Sequence, residues 1–111
     1  MVTVLVDARN VQRSVWPNLP DTDVLEASQR WAAEHGVDAE VVFDGPAPAG
    51  GIGTGAESAD DRITQRAGEL AATGEPYWLV TSDRELRSRA GRDAERVIGG
   101  GSFVRALQGR R

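Results

Sequence analysis

Aspartates follow three separate apolar segments of the chain, at positions from which their carboxylates could act together. Asp7 ends the run TVLVD, Asp44 ends AEVVFD, and Asp83 follows YWLVTS. A further pair, Asp60 and Asp61, lies in the first turn of a helical pattern. Neighbouring carboxylates raise each other's pKa, so such a group stays ionised at neutral pH most easily around a cation. Mg²⁺ or Mn²⁺ suits this site, because hard ions take oxygen ligands and keep waters that can be activated for hydrolysis.

The segments that must position these residues alternate between strand and helix patterns. Short apolar runs predict strands at 3–6, 39–43, 77–81 and 96–98. Periodic apolar residues predict helices from Asp21 or Thr22 to Gly36, from Ser58 to about 73, over about 84–90, and from a cap at Ser102 onwards. The Gly/Pro-rich segment 45–57 is predicted as a mobile loop. Right-handed crossovers join such units into a covered sheet, so we predict an α/β protein: a small three-layer α/β/α domain with a mainly parallel central sheet of about four strands.

The position of the aspartates relative to the sheet favours a shared site. Ligands of open parallel sheets bind beyond the carboxyl ends of the strands, and Asp7, Asp60 and Asp83 meet there if the first and third strands are neighbours. Turn and capping chemistry explains each aspartate singly, and their joint placement favours the site. Asp44 is the weakest member, because an Asx turn before Gly-Pro accounts for it. Asp60 and Asp61 point about 100° apart, so one of them is expected to reach the metal directly.

Composition narrows the class of protein. At 111 residues the chain is predicted to form one domain, residues 1–111. It has no cysteine and one histidine, which excludes thiolate and histidine-rich metal sites and leaves oxygen ligands. No segment approaches the roughly 20 apolar residues that span a bilayer, and no targeting pattern is present, so we predict a soluble cytoplasmic protein without a membrane partner.

Charge is distributed unevenly along the chain. Residues 1–83 carry five arginines against fourteen acidic residues, whereas residues 84–111 carry eight arginines against three. The net charge of −4 argues against a protein that coats nucleic acid through a generally basic surface. The basic C-terminal part is typical either of a solvated helix surface or of a phosphate-binding face.

Four short motifs occur in a recognisable order. They are LVDARNV (5–11), VVFDG (41–45), ESADDRI (57–63) and VTSDREL (80–86). Together they resemble the NYN domain of the PIN-like nuclease superfamily, and within it the YacP-like branch of bacterial ribonucleases. The resemblance extends from Thr3 to about Phe103. It implies a PIN-like fold and a metal-dependent endoribonuclease that cleaves RNA, either alone or on a ribosome or another RNA-containing assembly.

The resemblance also implies roles for individual acids. Asp7, Asp60 and Asp83 match the residues that bind the metal and act in catalysis. Asn10 matches an asparagine that is expected to orient a metal-bound water or the scissile phosphate. The fourth acid of many PIN-like sites has no clear counterpart other than Asp61, which we predict as an additional metal ligand.

Four further residues are predicted to bind the substrate at the rim of the site. Arg84 and Arg87 are expected to contact the RNA backbone, because a guanidinium binds phosphate in a bidentate manner. Ser82 is expected either to bond a ligand carboxylate or to serve as a turn hydroxyl. Trp16 is expected either to stack on a base or to cover the edge of the core.

Two other functions are compatible with the same residues. An RNA-binding or protein-interaction module without efficient catalysis would explain the small size, the acidic balance and the missing fourth acid. A receiver-like domain also places aspartates at strand ends, but it requires a lysine at a later strand end and the chain contains none. The sequence leaves the oligomeric state open.

Overall fold

The computed structural model describes residues 1–109, which form five strands and five helices. The strands are β1 (Thr3–Asp7), β2 (Asp38–Phe43), β3 (Ile52–Gly53), β4 (Tyr77–Val80) and β5 (Arg96–Ile98). The helices are α1 (Ala8–Arg13), α2 (Asp21–His35), α3 (Ala59–Thr73), α4 (Arg84–Ala90) and α5 (Gly100–Gln108). All strand pairs are parallel, in the order β3-β2-β1-β4-β5. The predicted three-layer α/β fold is confirmed, and the sheet has five strands rather than about four.

Strand β1 occupies the centre of the sheet, and its burial on both faces explains its unbroken apolar sequence. Val4 and Val6 face a core formed with α1, α2 and α5, which contains Trp31 and Phe103. The side chain between them, Leu5, faces a second core formed with α3 and α4. Because β1 lies between β2 and β4, the first and third predicted strands are neighbours, as the site requires.

The strand that the sequence did not predict, β3, lies inside the Gly/Pro-rich segment that was predicted as a mobile loop. Ile52 and Gly53 pair with the end of β2. The Thr54 hydroxyl accepts the Gly45 N–H at 2.9 Å, and the Thr54 N–H donates to the Gly45 carbonyl at 2.9 Å. A Cβ atom on Gly51 would lie 2.9 Å from the Phe43 ring. The loop prediction was therefore wrong here: part of the segment packs on β2 as a strand, and the missing side chain of Gly51 allows this approach.

Helix boundaries agree with the sequence where local signals act. Helices α2 and α3 end at Gly36 and Gly74, both with positive φ, and the Ser58 hydroxyl caps α3 by accepting the Asp61 N–H at 3.1 Å. Helix α1 was not predicted. Helix α5 begins at Gly100 rather than after Ser102.

The early start of α5 has a cause outside the helix. The hydroxyl of Ser82 accepts the first helical N–H, that of Gly100, at 2.8 Å, so the turn after β4 supplies the cap. A Cβ on Gly100 would clash with the side chains of Asn10 and Ser14. Glycine therefore lets α5 pack directly on α1. Among residues 1–109, no helix is long and apolar enough to cross a membrane.

Candidate active site at the carboxyl edge of the sheet

Asp7 ends the central strand, where it is 6 % exposed. Its Oδ2 accepts a hydrogen bond from the Thr81 hydroxyl at 2.9 Å. Burial raises the pKa of Asp7, and the nearby carboxylates of Asp60 and Asp44 raise it further. The Thr81 hydroxyl and the backbone of Asn10 act in the opposite direction. The net result is a carboxyl group that holds its proton more tightly than a free aspartate.

Asp60 lies in the first turn of α3 and is half-buried. Its pKa is also raised, first by burial and then by the charges of Asp83 and Asp44, while Arg89 opposes the shift. Asp7, Asp44, Asp60 and Asp83 therefore share one electrostatic environment, and we call them the carboxylate cluster. Four parts of the fold meet there: the end of β1, the end of β2, the first turn of α3 and the turn after β4.

Asp44 and Asp83 also cap helices. The Oδ1 of Asp44 accepts the N–H of Ala59 at 2.7 Å, so it satisfies a free donor at the start of α3. The Oδ1 of Asp83 accepts the N–H of Leu86 at 2.9 Å and is the N-cap of α4. Each bond uses one carboxylate oxygen and leaves the second one for a ligand. Asp44 is more than a residue of a local Asx turn, because its partner lies 15 positions away along the chain.

The structure separates Asp61 from its neighbour Asp60. The Asp61 carboxylate accepts a hydrogen bond from Arg89 on α4 at 2.8 Å, and this bond lowers the pKa of Asp61. Asp60 interacts instead with the carboxylate cluster. This difference agrees with the expectation that one of two adjacent helical aspartates faces the site.

Asn10 and its neighbours tie three elements together. The Asn10 Oδ1 accepts the Ser82 N–H at 2.9 Å, which leaves the amide nitrogen of Asn10 as a donor. The Ser82 hydroxyl is engaged by Gly100, and it is the Thr81 hydroxyl that bonds the carboxylate of Asp7. Of the two roles expected for Ser82, the structure therefore shows the turn hydroxyl, and its neighbour Thr81 makes the contact with the acid.

The residues predicted at the rim differ in how they are held. Arg84 is exposed, and within residues 1–109 its side chain has no hydrogen bond or ion pair. Arg87 donates from Nε to the Thr81 carbonyl at 2.9 Å. This bond holds the Arg87 side chain against the turn that follows β4. Trp16 is 86 % exposed, so it does not cover the core.

Arg9 supports the base of the site, a role that no sequence pattern predicts. Its guanidinium bonds Asp21 at 2.7 Å, Gln12 at 2.8 Å and the Asp44 carbonyl at 3.3 Å. It also lies 5.5 Å from the centre of the Phe43 ring. Arg9 therefore joins α1, the start of α2 and the end of β2, and it is already occupied as a donor.

The donor set of the carboxylate cluster suits a hard divalent cation, since its ligands are carboxylate oxygens. Within residues 1–109, however, no three Asp, Glu, His or Cys side chains lie close enough together to hold an ion by themselves. Mg²⁺ is commonly bound through one or two carboxylates together with substrate phosphates and waters. The arrangement fits binding of that kind and does not form a complete protein cage.

Solved structures share this architecture. Two crystal structures of Rae1 (YacP) from Bacillus subtilis, one of them of a mutant, match with TM-scores of 0.78 and 0.75 at 24 % and 22 % identity. The matches cover 98 % of this chain and 76 % and 75 % of those chains. The chain has a YacP-like fold. No family model and no curated protein matches its sequence. In this YacP-like fold the carboxylate cluster occupies the carboxyl edge of the central strands.

Proposed function

We propose that the protein is a metal-dependent endoribonuclease that hydrolyses RNA phosphodiester bonds. The observation that carries the proposal is the carboxylate cluster: burial and mutual repulsion raise the pKa of Asp7 and Asp60 at the edge where parallel sheets bind ligands. Such an arrangement is costly for the fold, and a bound cation would relieve its cost. The YacP-like fold and the resemblance of the four motifs to YacP-like ribonucleases support the same function.

Asp7, Asp60 and Asp83 would hold Mg²⁺ or Mn²⁺, and the free oxygen of Asp44 makes it a fourth candidate. Asp61, which is paired with Arg89, is the weaker candidate ligand. The metal would supply an activated water and stabilise negative charge on the phosphate. The bond of Asn10 to the Ser82 N–H fixes its amide, so that its nitrogen can donate to the scissile phosphate or to a water.

RNA would approach over the arginines that follow β4. Arg84 has the N–H groups of its guanidinium available to a phosphate. Arg87 donates through Nε to the Thr81 carbonyl, so its two terminal nitrogens remain available to a phosphate. The Ser82 hydroxyl accepts the Gly100 N–H, so its own O–H would remain available to donate to the RNA. We propose RNA as the substrate, either free in the cytoplasm or within a ribosome or another RNA-containing assembly.

The test uses an end-labelled pool of single-stranded RNA, Mn²⁺ or EDTA, and three variants. Wild type is expected to produce fragments in Mn²⁺ and none in EDTA. Asp60→Asn is expected to slow cleavage by at least about 100-fold, because it removes a carboxylate that would hold the metal. Asp61→Asn is expected to lose much less, and Gln65→Ala, on the same helix and outside the cluster, is the control. Cleavage by Asp60→Asn at the wild-type rate would overturn the proposal.

A second function is favoured by the incomplete metal site and by the capping bonds of Asp44 and Asp83. On this alternative the protein is a catalytically weak RNA-binding or protein-interaction module. It predicts that RNA binds equally well in Mn²⁺ and EDTA and that no condition yields fragments. RNA binding that depends strictly on the divalent ion would count against it.

A further inference from the structure

Trp16 is exposed in a protein that otherwise packs its aromatic rings. Trp31 stacks on His35 and meets the edges of Trp78 and Phe103 at centroid distances of 6.2 and 5.1 Å. Trp16, by contrast, is 86 % exposed. Within residues 1–109 it makes no ring contact and no hydrogen bond. An indole placed in water at a fixed position leaves a large apolar face for a ligand.

The segment that carries Trp16 is anchored at both ends. The Ser14 hydroxyl donates to the Asn10 carbonyl at 2.7 Å. The Leu19 N–H and carbonyl bond the backbone and the side chain of Gln12, at 3.2 and 2.8 Å. Val15 and Leu19 pack against the core on either side of Trp16. The exposed apolar surface is therefore one ring, which is far smaller than the several hundred Å² of a protein docking patch.

The segment that carries this ring is connected to the carboxylate edge by hydrogen bonds. Ser14 bonds Asn10, and Asn10 in turn bonds the N–H of Ser82, beside Asp83. The Cα of Trp16 lies two residues beyond Ser14, hence within about 7 Å of the Cα of that serine. A polymer that reaches the carboxylate cluster can therefore also reach the ring.

Arg13 is an exposed cation close to Trp16 in the sequence. Arg13, the last residue of α1, is exposed, and its guanidinium has no hydrogen bond or ion pair within residues 1–109. It lies three residues before Trp16, so their Cα atoms are within about 11 Å. Arg9, one turn earlier, is engaged by Asp21, Gln12 and the Asp44 carbonyl. Arg13 is thus the arginine of α1 that remains available for a phosphate.

We propose that Trp16 and Arg13 form a subsite for an unpaired nucleotide of RNA, with the indole stacked on the base and the guanidinium on its phosphate. The inference rests on the proposed function, because it takes RNA as the ligand. A base in a duplex has both faces covered by its neighbours, whereas a single-stranded base offers one to an aromatic ring. The subsite therefore selects single-stranded RNA, and it tolerates any base because every base has a π face.

The test measures the affinity of a short labelled RNA by fluorescence anisotropy in EDTA, where metal-dependent cleavage is suppressed. The RNA is presented single-stranded and annealed to its complement. Wild type is expected to bind the single strand more tightly. Trp16→Ala is expected to weaken that binding about tenfold or more, Trp16→Phe to retain most of it, and Arg13→Gln to weaken it and reduce its salt dependence. Val97→Ala and Arg30→Gln, at exposed positions elsewhere, are the controls.

Three results would overturn the subsite: no binding of single-stranded RNA by wild type, equal affinity of wild type and Trp16→Ala, or a change in sedimentation of Trp16→Ala that identifies the ring as a protein contact. Because the side chain is exposed, the melting temperature of Trp16→Ala should match wild type, which separates lost binding from lost folding. Cleavage distinguishes the two proposals. If RNA binds through Trp16 but is not cleaved, the nuclease proposal fails and the subsite stands. If RNA is cleaved and Trp16→Ala leaves KM unchanged, the subsite fails and the nuclease proposal stands.

Discussion

Two charged regions of the molecule balance their charges in different ways. A groove of about 560 Å³ between α3 and β2, which we call the α3 groove, is lined by Glu40, Ile52, Arg62, Gln65, Arg66 and Glu69. There the Arg66 guanidinium bonds the two carboxylate oxygens of Glu40 at 2.9 to 3.2 Å, and this contact raises the pKa of Arg66. At the carboxylate cluster, like charges meet, and the pKa values of Asp7 and Asp60 rise.

The difference shows why the volume of a cavity does not locate the chemistry. In the α3 groove the carboxylate of Glu40 favours the ionised state of Arg66, so the fold already supplies this charge with a partner. In the carboxylate cluster the fold supplies repulsion and burial, which a bound cation would compensate. Perturbed carboxyl groups at a sheet edge are therefore the better indication of a functional site.

After substitution of Asp60, substitution of Asp44 is expected to have the largest effect on cleavage, and it therefore distinguishes the carboxylate cluster from the α3 groove. Asp44→Asn keeps an acceptor for the Ala59 N–H but loses the charge, so cleavage should fall about tenfold with little change in stability. Asp44→Ala also removes the capping bond and should lower the free energy of unfolding by about 1 kcal/mol. Cleavage rates and denaturant unfolding of the two variants provide the measurement. If Asp44→Asn cleaves RNA at the wild-type rate, the role of Asp44 is limited to capping α3.

Asp7 is expected to trade stability for function. Its pKa in the folded protein lies above the unfolded value of 3.8, so between these values the folded state binds more protons and its stability falls as pH rises. Asp7→Asn removes this cost and keeps an oxygen for the Thr81 hydroxyl. In EDTA at pH 7 its free energy of unfolding should increase by about 1 kcal/mol, or roughly 4 °C in Tm.

The gain from Asp7→Asn should disappear as the pH falls below the unfolded value, because the carboxyl of the wild type is then protonated in both states. Thermal unfolding at neutral and acidic pH tests this directly. A variant that is less stable than wild type at pH 7 would show that the hydrogen bond to Thr81 outweighs the burial of the charge.

The smallest effect is expected in the α3 groove. Glu40→Gln removes one charge of a pair whose side chains are 20 % and 35 % exposed, and this should lower the free energy of unfolding by about 0.5 kcal/mol. Cleavage should stay within twofold of wild type. If Glu40→Gln slowed cleavage as much as Asp44→Asn, the groove would belong to the active site and the comparison would fail.

Much of the fold could be predicted because its signals are local. Strands buried on both faces read as continuous apolar runs, and Gly36 and Gly74 mark helix ends by their left-handed conformation. Strand β3 has two residues, one of them glycine, and forms only by pairing with β2. Helix α1 has six residues and follows Asp7 without a loop, too short to produce a period of its own.

The candidate site was predictable to the extent that topology alone determines it. Parallel strands bring Asp7 and Asp83 to one edge, and helical geometry separates Asp60 from Asp61. The long-range bonds were not predictable. The reach of Asp44 to α3, and the choice of Thr81 over Ser82 as the partner of Asp7, depend on side-chain positions that no local pattern specifies.

The glycine at the start of α5 has a consequence for when the protein becomes complete. Its N–H occupies the Ser82 hydroxyl, and its bare α-carbon lets the helix rest against Asn10. A ribosome adds Gly100 after it has added Asn10 and Ser82. During synthesis, the turn that carries Asp83 therefore lacks its support until α5 docks, so a nascent chain would complete the surroundings of its carboxylate cluster only after residue 100 had been added and folded.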